Sequence, residues 1–143
     1  MVSVTTLFGT VTSRSIGYAR TSGGGDTKQV SGLEVQVKAL KDAGCAAVFQ
    51  EIVSTRTAEK DRHQLQAALN AVVEGDELVI TALSRLGRTQ REVINRLHDL
   101  QEKGIHVRTL DGLVNTKAMG KMAPVLIGLL TGLNEVEREM TRD

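Results

Sequence analysis

The sequence predicts an α/β domain with a mostly parallel central sheet flanked by helices, followed by a long C-terminal oligomerisation helix. Short apolar runs alternate along the chain with segments whose apolar residues recur at helical spacing, and the connections between them are short. This alternation is typical of a parallel sheet with helices on its faces. The last segment, in contrast, repeats its apolar residues in steps of three and four from Leu126 to Met140.

Four strands and three helices make up the alternating part. The predicted strands are residues 15–19, 46–52, 78–80 and 105–107. The predicted helices carry their apolar faces at residues 33–40, 65–72 and 93–100. Gly44, Gly75 and Gly104 follow the three helices, and glycine commonly ends a helix because it tolerates a left-handed backbone. Each helix therefore returns the chain to the sheet for the next strand.

The net charge, the cysteine count and the length of the apolar stretches limit the classes of protein to which the chain can belong. The net charge is only +1, so any nucleic-acid binding must depend on clustered arginines rather than on overall charge. The single cysteine, Cys45, excludes an internal disulfide, fits a reducing cytoplasm and is predicted to be a packed core thiol.

No stretch approaches the ~20 apolar residues of a membrane span. We interpret residues 1–14 as a leader, because they show no helical or strand period and no basic start typical of a signal peptide.

Arginines gather where the predicted strands end. Arg20 ends the first strand, and Arg62 lies just ahead of the second helix. Arg85 and Arg88 follow the third strand. The carboxyl ends of parallel strands meet at one edge of the sheet, where α/β proteins bind ligands. Guanidiniums at that edge form a phosphate clamp, because each can donate two hydrogen bonds and stays charged. Ser22, two residues beyond Arg20, is then placed to attack a phosphodiester, although any one of these arginines alone is better explained as a solvated surface charge.

At these residues the sequence resembles the resolvases and DNA invertases, which are serine site-specific recombinases. Residues 18–22, Tyr-Ala-Arg-Thr-Ser, resemble the Tyr-Ala/Val-Arg-Val-Ser signature of that family. Further motifs follow in the family's order: Leu33-Glu34-Val35-Gln36, Asp61-Arg62, Glu74-Gly75-Asp76, Leu83-Ser84-Arg85-Leu86-Gly87-Arg88, Met119-Gly120-Lys121 and Glu137-Arg138-Glu139. The ordered set is far more specific than any single motif.

The resemblance implies a mechanism. Ser22 would attack a DNA phosphate, form a 5′-phosphoserine linkage and release a 3′-hydroxyl. Arg20, Arg85 and Arg88 would bind the scissile phosphate and the charge developing on it, and Arg62 would complete the clamp. The supporting residues that the resemblance assigns are Gln36, which orders the active-site loop, the acidic Glu51 at a strand end, and the pair Glu137 and Arg138 on the long helix.

The resemblance also implies the partners. They are double-stranded DNA at a specific recombination site, a second copy in a homodimer, and a synaptic homotetramer, with no membrane. It implies no cofactor and no metal, and the three histidines, His63, His98 and His106, are scattered without ligand spacing. We expect a bacterial cytoplasmic protein that joins the nucleoid when it is on DNA.

The chain departs from the family pattern in several places. Gly23-Gly24-Gly25 and their neighbours lengthen the loop between Ser22 and Gln36, and Ser84 stands where an aspartate is common. The stretch before the Glu137-Arg138 pair is also longer than usual. We expect the family's helix-turn-helix DNA-binding domain to lie outside this sequence. The predicted division is a leader at residues 1–14, a resolvase-type catalytic domain at 15–122, and the start of a long dimerisation helix at 123–143.

The C-terminal segment carries a heptad seam. Pro124 fits the first turn of its helix, where the missing N–H is not needed. A helix that is apolar on more than one side needs more partners than one sheet face, which predicts an oligomer interface, with packing inside the domain as the alternative. The seam is Leu126, Leu129, Leu133, Val136 and Met140, and Ile127 and Leu130 form a second apolar set beside it.

Two other functions stay open. The glycine-rich residues 22–25 follow a strand and could cradle a phosphate at a helix N-terminus, as in a phosphate-ester-binding or nucleotide-binding α/β enzyme. The loop lacks the Gly-Lys-Ser/Thr of a P-loop, which argues against that function. A catalytically silent dimerisation module would use only the long helix, and the intact Ser22 and arginines argue against it.

Overall fold

The computed structural model describes residues 2–6, 9–21, 27–52, 63–87 and 89–140. Its strands, in chain order, are β1 (Val2–Thr6), β2 (Gly9–Ser13), β3 (Ser15–Thr21), β4 (Ala47–Ile52), β5 (Glu77–Ile80) and β6 (His106–Thr109). Its helices are α1 (Thr27–Asp42), α2 (His63–Ala71), α3 (Gln90–Glu102), α4 (Thr116–Met119) and α5 (Met122–Met140), with a 3₁₀ turn at Leu83–Leu86.

A parallel sheet of four strands forms the centre of the fold, which confirms the predicted α/β class. The strand order is β4-β3-β5-β6, and every neighbouring pair is parallel. The chain leaves β3 toward β4 on one side, then crosses back to β5 on the other side. This reversal of direction opens a crevice beyond the carboxyl ends of β3 and β5, which is where doubly wound sheets bind their ligands.

Alternating side chains of β3 point into two cores. Ile16 and Tyr18 face the larger core, which α2, α3 and α5 also line. Ala19 faces the smaller core on the opposite side, together with Leu33 and Leu40 of α1. One helix therefore covers one face of the sheet, while two helices cover the other and α5 packs on α3.

Cys45 lies at the border of the smaller core. Its side chain is half-buried and packs against that core. Burial raises the pKa of the thiol to about 11, so the thiol is protonated at neutral pH. This environment agrees with the predicted packed thiol and with low chemical reactivity.

The N-terminal residues differ from the expectation of a leader without strand pattern. Strands β1 and β2 pair antiparallel, with Val2 opposite Ser13 and Thr6 opposite Gly9. That expectation was wrong for these two segments. Threonines stand among the valines, which hides an apolar alternation, yet both residue types are β-branched and favour extended backbone.

A short helix and a glycine precede the helix at the C-terminus. Met119 belongs to α4, and Gly120 follows with a left-handed φ of 57°. Helix α5 begins at Met122, which places Pro124 in its first turn as predicted. Among the described residues, no helix is both long and apolar enough to cross a membrane.

An ion pair fastens the start of β3 to the start of β5. The buried Asp76 carboxylate accepts from the Arg14 guanidinium at 2.8 Å, from the Arg14 N–H at 3.2 Å and from the Val73 N–H at 3.0 Å. Arg14 also donates to the Ala71 carbonyl at 2.8 Å. Burial by itself raises the pKa of Asp76, but these hydrogen bonds and the Arg14 charge outweigh it, so the pKa is lowered below its ordinary value.

We predict that Asp76→Asn lowers the free energy of unfolding at pH 7 by about 1–3 kcal/mol, because buried hydrogen bonds to a charged group are lost. A carboxyl whose folded pKa is depressed stabilises the fold above its unfolded pKa and loses that contribution as pH falls. The difference between wild type and variant should therefore shrink toward pH 3 in urea-unfolding curves. Asp42→Asn, which removes an exposed pair with Lys38, is the matched control and should change little at either pH. A difference for Asp76→Asn that is independent of pH would contradict this assignment.

Candidate active site

Arg20 is the central described residue of the predicted site. It lies near the carboxyl end of β3 and is only 1% exposed. Its Nη2 donates to the carbonyl oxygen of Ser84 at 2.8 Å. Ser84 belongs to the 3₁₀ turn that follows β5, so this bond spans the crevice between β3 and β5. The structure therefore joins two of the strand exits at which the sequence places arginines.

Gln36 binds the backbone of Arg20 from the other side of the sheet. Its Nε2 donates to the Arg20 carbonyl at 3.0 Å, and its Oε1 accepts from the Arg20 N–H at 3.3 Å. One carboxamide from α1 thus satisfies both backbone groups of Arg20, two residues before Ser22. Gln36 was predicted as a supporting residue, and this contact is the physical means by which it can hold the strand end.

Arg85 lies in the same 3₁₀ turn, half-buried. Its Nε is 3.5 Å from the hydroxyl of Thr81, which is a long hydrogen bond. Gly87 ends the turn, and a Cβ there would lie 2.8 Å from the Cβ of Glu92 and 3.1 Å from the N of Val93. Only glycine lets the turn approach the first turn of α3 this closely.

Helix α3 begins with a side-chain cap directly after this turn. The Thr89 hydroxyl accepts from the Glu92 N–H at 3.2 Å, which satisfies one of the free donors at the helix start. Arg88 lies outside the described residues, but its neighbours Gly87 and Thr89 are both held against α3.

Glu51, near the end of β4, connects β3 to the start of α2. Its carboxylate accepts from the hydroxyl of the buried Tyr18 and from the backbone N–H groups of Gln64 and Leu65, at 3.2 Å and 3.1 Å. The last two are free donors at the start of α2, so Glu51 caps that helix. Glu51 was predicted as a supporting residue. The structure shows it holding the start of α2, and Arg62 precedes that helix by one residue.

Of the remaining predicted catalytic and supporting residues, the structure describes the side chain of Glu137 alone. Ser22, Arg62 and Arg88 lie outside the described residues, as do residues 23–25 of the glycine-rich loop. The backbone of Arg138 belongs to α5, but its side chain is not described. Glu137 is exposed and lines a shallow cavity with Thr89, Gln90 and Arg91, at the start of α3.

Four residues that contribute to the cluster were not predicted as site residues from the sequence. Thr89 and Glu92 have the spacing of a helix capping box, a signal that was available in the sequence. The Tyr18 hydroxyl lies two residues before Arg20, on the same side of β3, which period-two alternation indicates. The Ser84 carbonyl had no signal, because any residue type supplies a backbone acceptor. Ser84 therefore contacts Arg20 without using its side chain.

A family model described as the resolvase N-terminal domain matches residues 15–143. The chain is 36% identical over 127 residues to the serine recombinase gin of Escherichia phage Mu, covering 87% of this chain and 60% of that protein. It is 32% identical over 127 residues to the DNA-invertase hin of Salmonella typhimurium, with coverages of 88% and 62%. It is 34% identical over 127 residues to the transposon Tn3 resolvase of Escherichia coli, with coverages of 87% and 64%. The chain thus spans less than two thirds of the length of these relatives.

Solved structures share the fold. The N-terminal catalytic domain of TP901-1 integrase superposes with a TM-score of 0.65 at 18% identity, covering 89% of this chain and 98% of that one. A resolvase family site-specific recombinase from Streptococcus pneumoniae superposes with a TM-score of 0.61 at 17% identity, with coverages of 92% and 91%. At these identities the likeness is one of fold.

We predict that Tyr18 and Glu51 are energetically coupled through their shared hydrogen bond. Tyr18→Phe and Glu51→Gln should each lower the free energy of unfolding by about 1–2 kcal/mol. The double variant should lose less than the sum of the two, with a coupling energy of about 0.5–3 kcal/mol. Denaturant unfolding of the four proteins measures this. Strict additivity would show that the contact does not contribute to stability.

Proposed function

Because a model of the resolvase N-terminal domain covers residues 15–143, the chain belongs to that family, and we propose that it is the catalytic domain of a site-specific DNA recombinase. The observation that carries the proposal is the buried Arg20, joined to the turn that bears Arg85 at the crevice between β3 and β5. A guanidinium fixed at that edge is suited to bind a phosphate. The same chemistry serves resolution, inversion or integration.

The proposed reaction is a pair of transesterifications. The Ser22 Oγ attacks the scissile phosphorus and loses its proton, and the bond from phosphorus to the 3′-oxygen breaks. The 3′-oxygen leaves and takes up a proton, while the 5′-phosphoryl group stays on Ser22. In the second step a 3′-hydroxyl of another DNA end attacks that phosphorus and releases Ser22. Each step makes one phosphoester bond and breaks one, so no external energy source is required.

The arginines in this proposal stabilise the charge that develops on the phosphoryl oxygens. Arg20 is held by contacts to both sides of the crevice, so little reorganisation is needed when the phosphate arrives. Arg85 follows on the adjoining turn, and Arg88 and Arg62 complete the clamp from the start of α3 and the start of α2. Glu137 and Arg138 are proposed to support this group from α5. This arrangement supplies positive charge to a phosphoryl-transfer transition state, which is the main requirement of such reactions.

We predict that Ser22→Ala abolishes the covalent protein–DNA adduct and strand cleavage, because it removes the hydroxyl that would attack the phosphate. DNA binding by the intact gene product should be nearly unchanged, since the substitution removes no charge. Trapping on a nicked suicide substrate, followed by denaturing electrophoresis, measures the adduct. Ser54→Ala is a control that should retain it. A covalent adduct in the Ser22→Ala protein would refute the assignment of Ser22 as the nucleophile. If the wild-type protein formed no adduct, the catalytically silent dimerisation module would be favoured.

Oligomers are the second part of the proposal. The five seam residues are all exposed: Leu126, Leu129, Leu133, Val136 and Met140 are 39–73% exposed. The second apolar set behaves differently, since Ile127 is buried and Leu130 is half-buried toward α3. The seam is therefore left for another molecule, and we propose a homodimer that pairs into a synaptic tetramer on double-stranded DNA. We place this activity in the bacterial cytoplasm, on the nucleoid.

We predict that the seam drives self-association. Burying one large aliphatic side chain contributes roughly 1.5–3 kcal/mol, so two carboxylates on the seam should abolish association. Sedimentation at rising concentration should show the wild type shifting toward dimer, and Leu129→Glu with Leu133→Glu staying monomeric with unchanged helicity. The control is Glu135→Lys, an exposed charge change beside the seam. Equal sedimentation of wild type and the double variant as folded monomers would overturn the interface.

A further inference from the structure

A second polar cavity opens at the amino ends of the strands, at the edge of the sheet opposite Arg20. Its volume is about 510 Å³, which is within the range of small-molecule sites. It begins where β3 and β5 begin, at Ser15 and Glu77, and α4 closes one side. Its charged lining residues are Arg14, Arg108, Lys117 and Glu77. Cationic groups therefore outnumber carboxylates around it.

Protein acceptors hold the two arginines in place. Arg14 Nη2 donates to Asp76 and to the Ala71 carbonyl, both at 2.8 Å. Arg108 Nε donates to Glu77 at 2.7 Å, and its Nη2 donates to the Ala43 carbonyl at 3.1 Å. Each guanidinium is thus tied on one side to a carboxylate and a carbonyl, which restricts its side-chain rotamers before any ligand binds.

Each arginine keeps further donors. No residue in the described part of the chain accepts from the Nε or Nη1 of Arg14, or from the Nη1 of Arg108. The ion pairs with Asp76 and Glu77 account for the bonded N–H groups of the two guanidiniums. They do not account for the remaining N–H groups. Lys117 adds a third cation, which is exposed and makes no ion pair within the described ranges.

We propose that this cavity binds a phosphate group. Phosphate offers several oxygens in a tetrahedral arrangement, so it can accept from two guanidiniums and an ammonium that approach from different sides. Ser13 adds a neutral hydroxyl at the same edge, and the hydroxyl of Ser15, also in the lining, donates to Glu77 at 3.4 Å. The phosphate could belong to a free small molecule or to a DNA backbone, since both present the same oxygens.

Ligand binding at this cavity would stabilise the folded chain and would not depend on DNA cleavage. Arg14 joins the start of β3 to β5, and Arg108 joins β6 to the end of α1. A ligand that bridges both arginines binds only the folded chain, so it should raise thermal stability by an amount that grows with the logarithm of its concentration once that exceeds its dissociation constant. Ligand binding at this edge can therefore be measured without DNA cleavage. If no binding were found, the proposed recombinase activity would be unaffected.

The test is an NMR titration of the labelled chain with inorganic pyrophosphate at constant ionic strength. We expect saturable shifts of the Arg14 and Arg108 Nε–H signals and of the Gly75 and Asn115 amides. Lys117→Gln should weaken binding by about fivefold or more, because one charged contact is lost. Lys121→Gln, an exposed lysine outside the cavity, is the matched control and should bind like wild type.

Ala118→Glu gives a second variant that leaves both arginine ion pairs intact. It places a carboxylate at the rim of the cavity and should abolish the shifts while the chain stays folded. Shifts that never saturate, or that Lys117→Gln and Lys121→Gln reduce equally, would overturn the site as a general charge effect. A short DNA duplex that competes with pyrophosphate would identify a backbone phosphate as the ligand, whereas saturable pyrophosphate binding without competition would identify a free phosphate compound.

Discussion

The burial of the Arg20 guanidinium at the end of a central strand is the constraint on which the rest of the site depends. A buried cation is strongly unfavourable unless hydrogen-bonded or paired, so the chain must bring acceptors to it. The Ser84 carbonyl does so from the turn after β5, and Gln36 holds the Arg20 backbone from α1. Because these contacts come from elements on both sides of β3, positioning Arg20 also positions the turn that carries Arg85.

Arginine has different surroundings at the two edges of the sheet. At the amino edge, Arg14 and Arg108 are paired with Asp76 and Glu77, and the pairs join neighbouring strands. At the carboxyl edge, the Nη2 of Arg20 donates to a backbone carbonyl, which is neutral. The arginines at the amino edge therefore join strands to one another through charged pairs, whereas the Arg20 side chain joins β3 to the turn that follows β5.

The apolar pattern was enough to predict the four-stranded sheet and the helices around it, because each helix buries one regular apolar face and the central strands β3 and β5 are short runs buried on both faces. It failed at the N-terminus, where threonines masked the alternation of β1 and β2. The site was predicted in part. Arg20 and the turn that carries Arg85 do meet across the crevice. The Ser84 carbonyl that accepts from Arg20 has no local sequence signal. Neither does the ion pair between Arg14 and Asp76, which are 62 residues apart in the chain. The roles of Ser22, of the four arginines and of the supporting residues all stay predictions.

Helix α3 links the proposed interface to the arginine-bearing turn. Its first residues are fastened to that turn by the Thr89 cap and by the close approach of Gly87 to Glu92. Its apolar face packs against Ile127 of α5, whose other face carries the exposed seam. A partner on the seam would thus be separated from the turn by two helices that pack directly on each other. Interiors packed in this way shift as units rather than deform gradually. If α5 forms the proposed interface, a change in how it meets its partner would reach the turn of Arg85 through α3. This packing would connect the proposed oligomer to the side chains that we propose bind phosphate.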